Sequence, residues 1–140
     1  MYKQIIIARK DLNLSPGKLA AQCCHGSMAF LLKFIRKNTA EDGRIDTWFD
    51  DLGVLNNWIK GIFTKVILQA KNKNQLLKAK TMAKELGMKE GEDFFCIYDC
   101  CLTELEPEED DGTTLTCIGF KPMEDVVIDQ IGQKFHTYVG

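Results

Sequence analysis

The run KQIIIAR at residues 3–9 places three consecutive isoleucines between charged residues, and Ser15-Pro16 follows after a short polar segment. A β-branched run of this length suits a strand buried on both faces. Serine can accept a hydrogen bond from an orphan helical N–H, and proline has no N–H to lose in the first turn. A buried strand leading directly into a helix from Pro16 to about Lys37 is therefore the first expectation. At 100° per residue, Leu19, Ala20, Cys23, Phe30, Leu31, Phe34 and Ile35 share one broad apolar face, which is expected to pack on a sheet.

Further elements follow the same logic. Residues 38–46 are polar, with a glycine, and read as a loop. Trp48, Phe49, Leu52, Leu55, Trp58 and Ile59 recur at helical spacing and predict a second helix despite Gly53. Residues 62–70 read as a buried strand, and Asn72 or Asn74 caps a helix that Gly87 stops. Residues 93–99 and 113–120 are two more strands, separated by the acidic loop ELEPEEDDG. That loop has no helical pattern, so the two strands are expected to be antiparallel neighbours. Lys121-Pro122 opens a short helix ended by Gly132, and KFHTYV reads as an edge strand. The order predicts one domain over residues 1–140, a three-layer α/β/α sandwich around a mixed sheet of four or five strands.

Composition narrows the class. With 45% apolar and 27% charged residues the chain is expected to be globular, and a net charge of −2 excludes a uniformly basic nucleic-acid binder. The balance hides a division: residues 1–89 carry +9 and residues 90–140 carry −11. The apolar run before Arg9 is too short for a signal peptide and no stretch is long enough for a membrane span, so a cytoplasmic location is expected. Two of the cysteine pairs are adjacent in sequence, which favours reduced, mostly buried thiols over a disulfide scaffold.

Chemistry concentrates in two places. Gln22 and His25 lie within about 40° of Lys18 around the helix axis, and Ala29 and Arg36 continue the stripe with Lys33 at its margin. A solvated polar face explains most of this, but Lys18 sits in the first turn, where the helix dipole disfavours a cation. Beside exposed N–H groups it makes an anion site. Asp99 ends a predicted strand, where open α/β sheets place their ligands; an ordinary turn aspartate is the plainer alternative. Thr103, Thr113, Thr114 and Thr116 flank the acidic loop. Neither Cys23-Cys24-His25 nor Cys96 with Cys100 and Cys101 has zinc-knuckle spacing, and structural thiols are expected.

KQIIIARKDLNLSPGKLAAQCCHGSMAF resembles the strand, loop and helix of the archaeal and eukaryotic peptidyl-tRNA hydrolases, which carry G-K-x-A-A-Q-x-x-H. The similarity resumes at KVILQAKNKNQLLKAKTMAKELGM, IYDCCLTEL and GTTLTCIGF. The resemblance implies hydrolysis of the ester between a peptide and the 3′ ribose of tRNA, with no metal or other cofactor. It implies catalytic roles for Lys18, Asp99, Thr103 and Thr114 (Thr113 being the alternative), with Gln22 and His25 shaping the substrate site. Phosphate contacts are then expected from Lys33, Arg36 and Lys37, with Lys71 and Lys73 beyond. tRNA is the expected partner, no membrane is expected, and a homodimer is left open. Two departures stand out: the family's D-A-G-R-T reads Asp99-Cys100-Cys101-Leu102-Thr103, lacking glycine and arginine, and an acidic loop follows that repels RNA. They support a second reading, a binding module without turnover. A third, a thiol hydrolase built on Cys100 or Cys101, predicts inactivation by alkylation.

Overall fold

The computed structural model describes residues 1–45 and 49–140. Strand β1 (Tyr2–Arg9) leads through the Ser15 cap into α1 (Pro16–Asn38). The predicted second helix is shorter than its periodicity suggests: α2 (Leu52–Val54) runs into a widened turn over Leu55–Ile59, and Trp48 lies outside the described residues. There the Lys60 N–H reaches the carbonyl of Leu55. Then come β2 (Lys65–Ala70), α3 (Lys73–Glu85) capped by Asn72, and β3 (Phe94–Asp99). Strand β4 (Thr114–Phe120), β5 (Met123–Glu124), α4 (Asp125–Gly132) and β6 (His136–Thr137) complete the chain.

The sheet is mixed and open, in the order β3-β4-β1-β2-β6, with β5 pairing the start of β1. β1 and β2 are parallel, and β3–β4, β1–β4 and β2–β6 are antiparallel. The acidic segment thus joins antiparallel neighbours, as a loop without a crossover helix must. The sheet has six strands rather than four or five, because Met123–Glu124 pairs with Tyr2–Lys3 before α4 begins. Period-two alternation along β1 sends Ile5 and Ile7 into the larger core with Leu76, Ala79, Ile128 and Ile131 of α3 and α4. Ile6 and Ala8 face α1. Helices therefore cover both faces, giving the three layers expected from the sequence. Among the described residues no helix is long and apolar enough to cross a membrane.

The seating of α1 follows the apolar-face expectation in part: Leu19, Cys23, Phe30 and Leu31 pack in the core clusters. The fully buried residues, however, are Gln22, Gly26 and Phe30, while Ile35 is exposed. The reason is a backbone-to-backbone contact: a Cβ on Gly119 of β4 would stand 2.0 Å from the carbonyl oxygen of Gly26. The helix lies on β4 through two glycines, and this close approach buries the polar Gln22 one turn earlier.

Candidate active site

The N-terminus of α1 meets the carboxyl end of β3. Ser15 caps the helix, its side chain accepting from the Lys18 N–H, and no acidic residue lies in the first turn. The charge complement comes from across the fold: Lys18 Nζ donates to Asp99 Oδ1 at 2.8 Å and to Thr103 Oγ1 at 3.2 Å. Glu104 fastens this arrangement, accepting from the Ser15 N–H at 2.9 Å and from its hydroxyl at 2.6 Å. The other Asp99 oxygen, Oδ2, accepts the Cys101 N–H at 3.0 Å. Cys101 has φ +59°, a left-handed conformation that glycine adopts readily and other L-residues only at a cost. It stands where the resembling family carries its glycine. The position of the missing arginine is Leu102, with its side chain in solvent.

Gln22 supplies the third donor to Asp99, Nε2 to Oδ1 at 3.3 Å, and its Oε1 accepts the Thr116 hydroxyl at 2.6 Å. Gln22, Asp99 and Thr116 are all buried. Burial pushes the Asp99 carboxyl up, but the Lys18 hydrogen bond, the Cys101 N–H and the charges of Lys18 and His25 outweigh it, leaving the group below the usual carboxylate range. Lys18 is raised above the ordinary lysine value, chiefly by its hydrogen bond to Asp99. At neutral pH the pair is thus an ammonium facing a carboxylate.

The other candidates divide into groups. His25 is exposed on the same face of α1. His25, Lys33, Arg36 and Lys37 line one groove of about 660 Å³ with Ala29, Leu32 and Phe95, so the basic stripe is a continuous surface. Lys33 also donates to the Gly91 carbonyl. Thr114 pairs with Asp99 in the sheet but is fully buried; its hydroxyl donates to the Glu106 carbonyl at 2.7 Å and accepts the Glu108 N–H at 3.0 Å. Thr113 bonds to Asp111 within the same loop. Lys73 is paired with Glu109 at 2.5 Å, and Lys71 is exposed.

Three contributors escaped the sequence reading. Thr116 was one threonine among several until the fold set it beside Gln22. Glu104 looked like one more acid of a repulsive loop, yet it clasps the helix cap. Arg9, only 3% exposed, donates to Glu108 at 2.5 Å and to Asp11 at 2.8 Å, so this part of the loop counters a buried cation. The acidic loop thus faces cations of its own chain at two points. The six cysteines are free thiols, but only Cys117 is buried; Cys23, Cys96 and Cys101 are partly buried and Cys24 and Cys100 exposed, so the expectation of mostly buried thiols is met only in part. Burial pushes the Cys23 and Cys96 thiols up to about 11. Among the described residues no three of His, Cys, Asp and Glu gather as metal ligands.

The arrangement sets an ammonium against a carboxylate at the N-terminal end of α1, and the same helix carries the basic groove. The sequence profile of the family described as peptidyl-tRNA hydrolase PTH2 matches residues 2–138. A peptidyl-tRNA hydrolase of Methanopyrus kandleri is 36% identical over 131 residues, covering 94% of this chain and 93% of its own. One from Thermococcus onnurineus is 32% identical over 130 residues (93% and 92%), and one from Saccharolobus islandicus is 28% identical over 131 residues (94% of each). With a profile spanning nearly every residue and relatives aligned end to end, the chain belongs to the PTH2 peptidyl-tRNA hydrolase family.

Proposed function

We propose that this chain hydrolyses the ester joining a peptide to the 3′ ribose of tRNA, with Asp99 and Lys18 at the reacting centre. Family membership supports the reaction, and the observation that supports the residue assignment is the Lys18–Asp99 contact with its unused hydrogen-bonding capacity. An ammonium has three N–H donors. Two of those on Lys18 point to Asp99 and Thr103, which leaves one for substrate. Oδ1 of Asp99 takes two donors, whereas Oδ2 takes only the Cys101 N–H and retains a lone pair for a water O–H.

The chemistry follows from that N–H donor and that acceptor oxygen. A water on Oδ2 attacks the ester carbonyl carbon, and its proton passes to Asp99 as the C–O bond forms. The free Lys18 N–H faces the oxyanion of the tetrahedral intermediate, where one such donor is worth about 10²–10³ in rate. On collapse the bond to the ribose 3′ oxygen breaks, and that oxygen recovers the proton from Asp99. Thr103 steadies the lysine, and Thr114, whose proton is used by the Glu106 carbonyl, holds the acidic loop. His25, Lys33, Arg36 and Lys37 receive the tRNA phosphates along the groove.

The test is turnover of an N-blocked aminoacyl-tRNA beside Asp99→Asn and Lys18→Ala. Both variants should fold and lose about 10²–10³ in kcat. Full activity in either overturns the assignment. The exposed Leu102 in place of an arginine favours one rival reading, a module that binds tRNA without turnover. Stoichiometric binding with no hydrolysis by the unaltered chain would establish that rival.

A further inference from the structure

We infer that Thr116 is a positioning residue for hydrolysis, holding Asp99 in register through Gln22; the inference rests on the reading of Asp99 above. The β3–β4 pairing skips a residue: Ile97 faces Cys117 and Tyr98 faces Leu115, so Thr116 is the extra residue of a β-bulge. A bulge places two consecutive side chains on one face. Both in fact meet α1 at Gln22, where the Cys117 thiol contacts the carbonyl at 3.4 Å and the Thr116 hydroxyl reaches Oε1 at 2.6 Å. Without the bulge, Thr116 would point to the opposite side of the sheet.

The hydroxyl has one proton and two acceptors within reach, Gln22 Oε1 at 2.6 Å and the Ile97 carbonyl at 3.2 Å. Giving it to Gln22 determines which end of that amide faces Asp99. With Oε1 held by Thr116, Nε2 donates to Asp99 Oδ1 at 3.3 Å. The reversed amide would set its carbonyl oxygen against Asp99 Oδ1, two acceptors with no proton between them, on the buried side of the carboxylate. Thr116 is 1% exposed, Gln22 4% and Asp99 9%, so water does not substitute for the missing bond. The relay Thr116–Gln22–Asp99 therefore fixes the carboxylate plane, with Oδ1 anchored by Lys18 and Gln22 and Oδ2 turned to the attacking water. None of these bonds involves substrate, so the effect belongs in kcat.

Thr116→Val preserves the branched shape and removes only the hydroxyl. We expect kcat to fall about tenfold, the value of one hydrogen bond that orients a charged group, with KM within about twofold. Thr116→Ser should stay within about threefold of the unaltered enzyme, because it restores the donor. In a Gln22→Met background Thr116→Val should cost no further kcat, because the relay is already cut. If Thr116→Val does not fold, Gln22→Met alone carries the test and should reproduce the kcat loss with KM unchanged. Unchanged kcat in the tested variant, a serine variant as impaired as valine, or an additive loss in the double variant would each overturn the inference. Asp99→Asn, assayed in parallel, separates the two levels: if it keeps full activity the reading of the site fails, and if it is inactive while Thr116→Val is normal only the relay fails.

Discussion

The contact between Gly26 and Gly119 determines how α1 presents Lys18 and Gln22, and a single methyl group tests it. A Cβ built on Gly119 lies 2.0 Å from the Gly26 carbonyl oxygen, 2.5 Å from its carbon and 2.6 Å from its Cα. An ordinary C···O contact is about 3.4 Å, so Gly119→Ala forces helix and strand apart by about 1.4 Å. All three atoms are backbone, so no rotamer change relieves the clash. Overpacking of this kind costs about 1–3 kcal/mol, and the upper end applies here because a whole helix must move. The same shift takes the 3.3 Å Gln22–Asp99 hydrogen bond out of range, and displacing such groups by about 1 Å lowers turnover about 10²-fold. Gly26→Ala approaches the same interface from the helix side, where its Cβ meets the Ile6 Cγ2 methyl at 3.3 Å and the Cys117 sulfur and Gly119 Cα at 3.5 Å, so its neighbours need give only a few tenths of an ångström. Replacing a mid-helix glycine gains about 0.5–1 kcal/mol in helix propensity, which offsets the tight contact. The pair should therefore be asymmetric: urea unfolding and initial-rate assays should find Gly119→Ala destabilised and slow, with Gly26→Ala near the unaltered chain in both. A Gly119→Ala protein with unaltered midpoint and kcat would refute the claim that this contact seats the helix.

Two further expectations follow. The Asp99 carboxyl lies below its ordinary value in the folded chain, so the stability it contributes is present above about pH 4 and is lost as the pH falls through the depressed folded value. Lys18 is raised and keeps its charge through the alkaline side, so kcat should form a plateau from about pH 5 to 9; a pH–rate profile that bends near neutrality would contradict this assignment of charges. Cys101→Gly should stabilise the chain by about 0.5–1 kcal/mol, since glycine relieves the left-handed strain at φ +59° but loses more entropy on folding. Thermal unfolding measures it, and a lower Tm would show that the Cys101 thiol contacts with the Asp99 carbonyl and the Thr114 hydroxyl, both at 3.4 Å, outweigh the backbone.

Much of the fold was legible along the chain because the signals are local. The isoleucine run of β1, the Ser15-Pro16 helix start, the Asn72 cap and the Gly87 stop each depend on neighbours a few residues away. The Lys18–Gln22–His25 stripe and the strand-ending Asp99 were readable for the same reason. Other features were not. Periodicity of Leu52, Leu55, Trp58 and Ile59 predicted a regular helix, but the segment closes as one short turn and a widened one around the buried Trp58. Met123–Glu124 read as part of a helix, but pairing with β1 claimed it first.

Local signals were enough for the order of the longer strands and helices, for the antiparallel return after β3 and for the residue types available for ester hydrolysis. The sequence by itself could not say that Gln22 is buried rather than solvated, because the apolar side chains suggest a different helix face from the one two glycines select. Nor could it separate Thr116 from Thr113 and Thr114, which are alike in a strand pattern until one bulge turns a single hydroxyl toward α1. The acidic loop is the clearest case. By composition its carboxylates can only repel RNA, but in the fold Glu104 holds the Ser15 cap of α1, Glu108 neutralises the buried Arg9 and Glu109 holds Lys73. The charge of a segment is written in its residues; which charges it meets depends on contacts spanning 36 positions for Lys73–Glu109 and 99 for Arg9–Glu108, and the tertiary structure sets those.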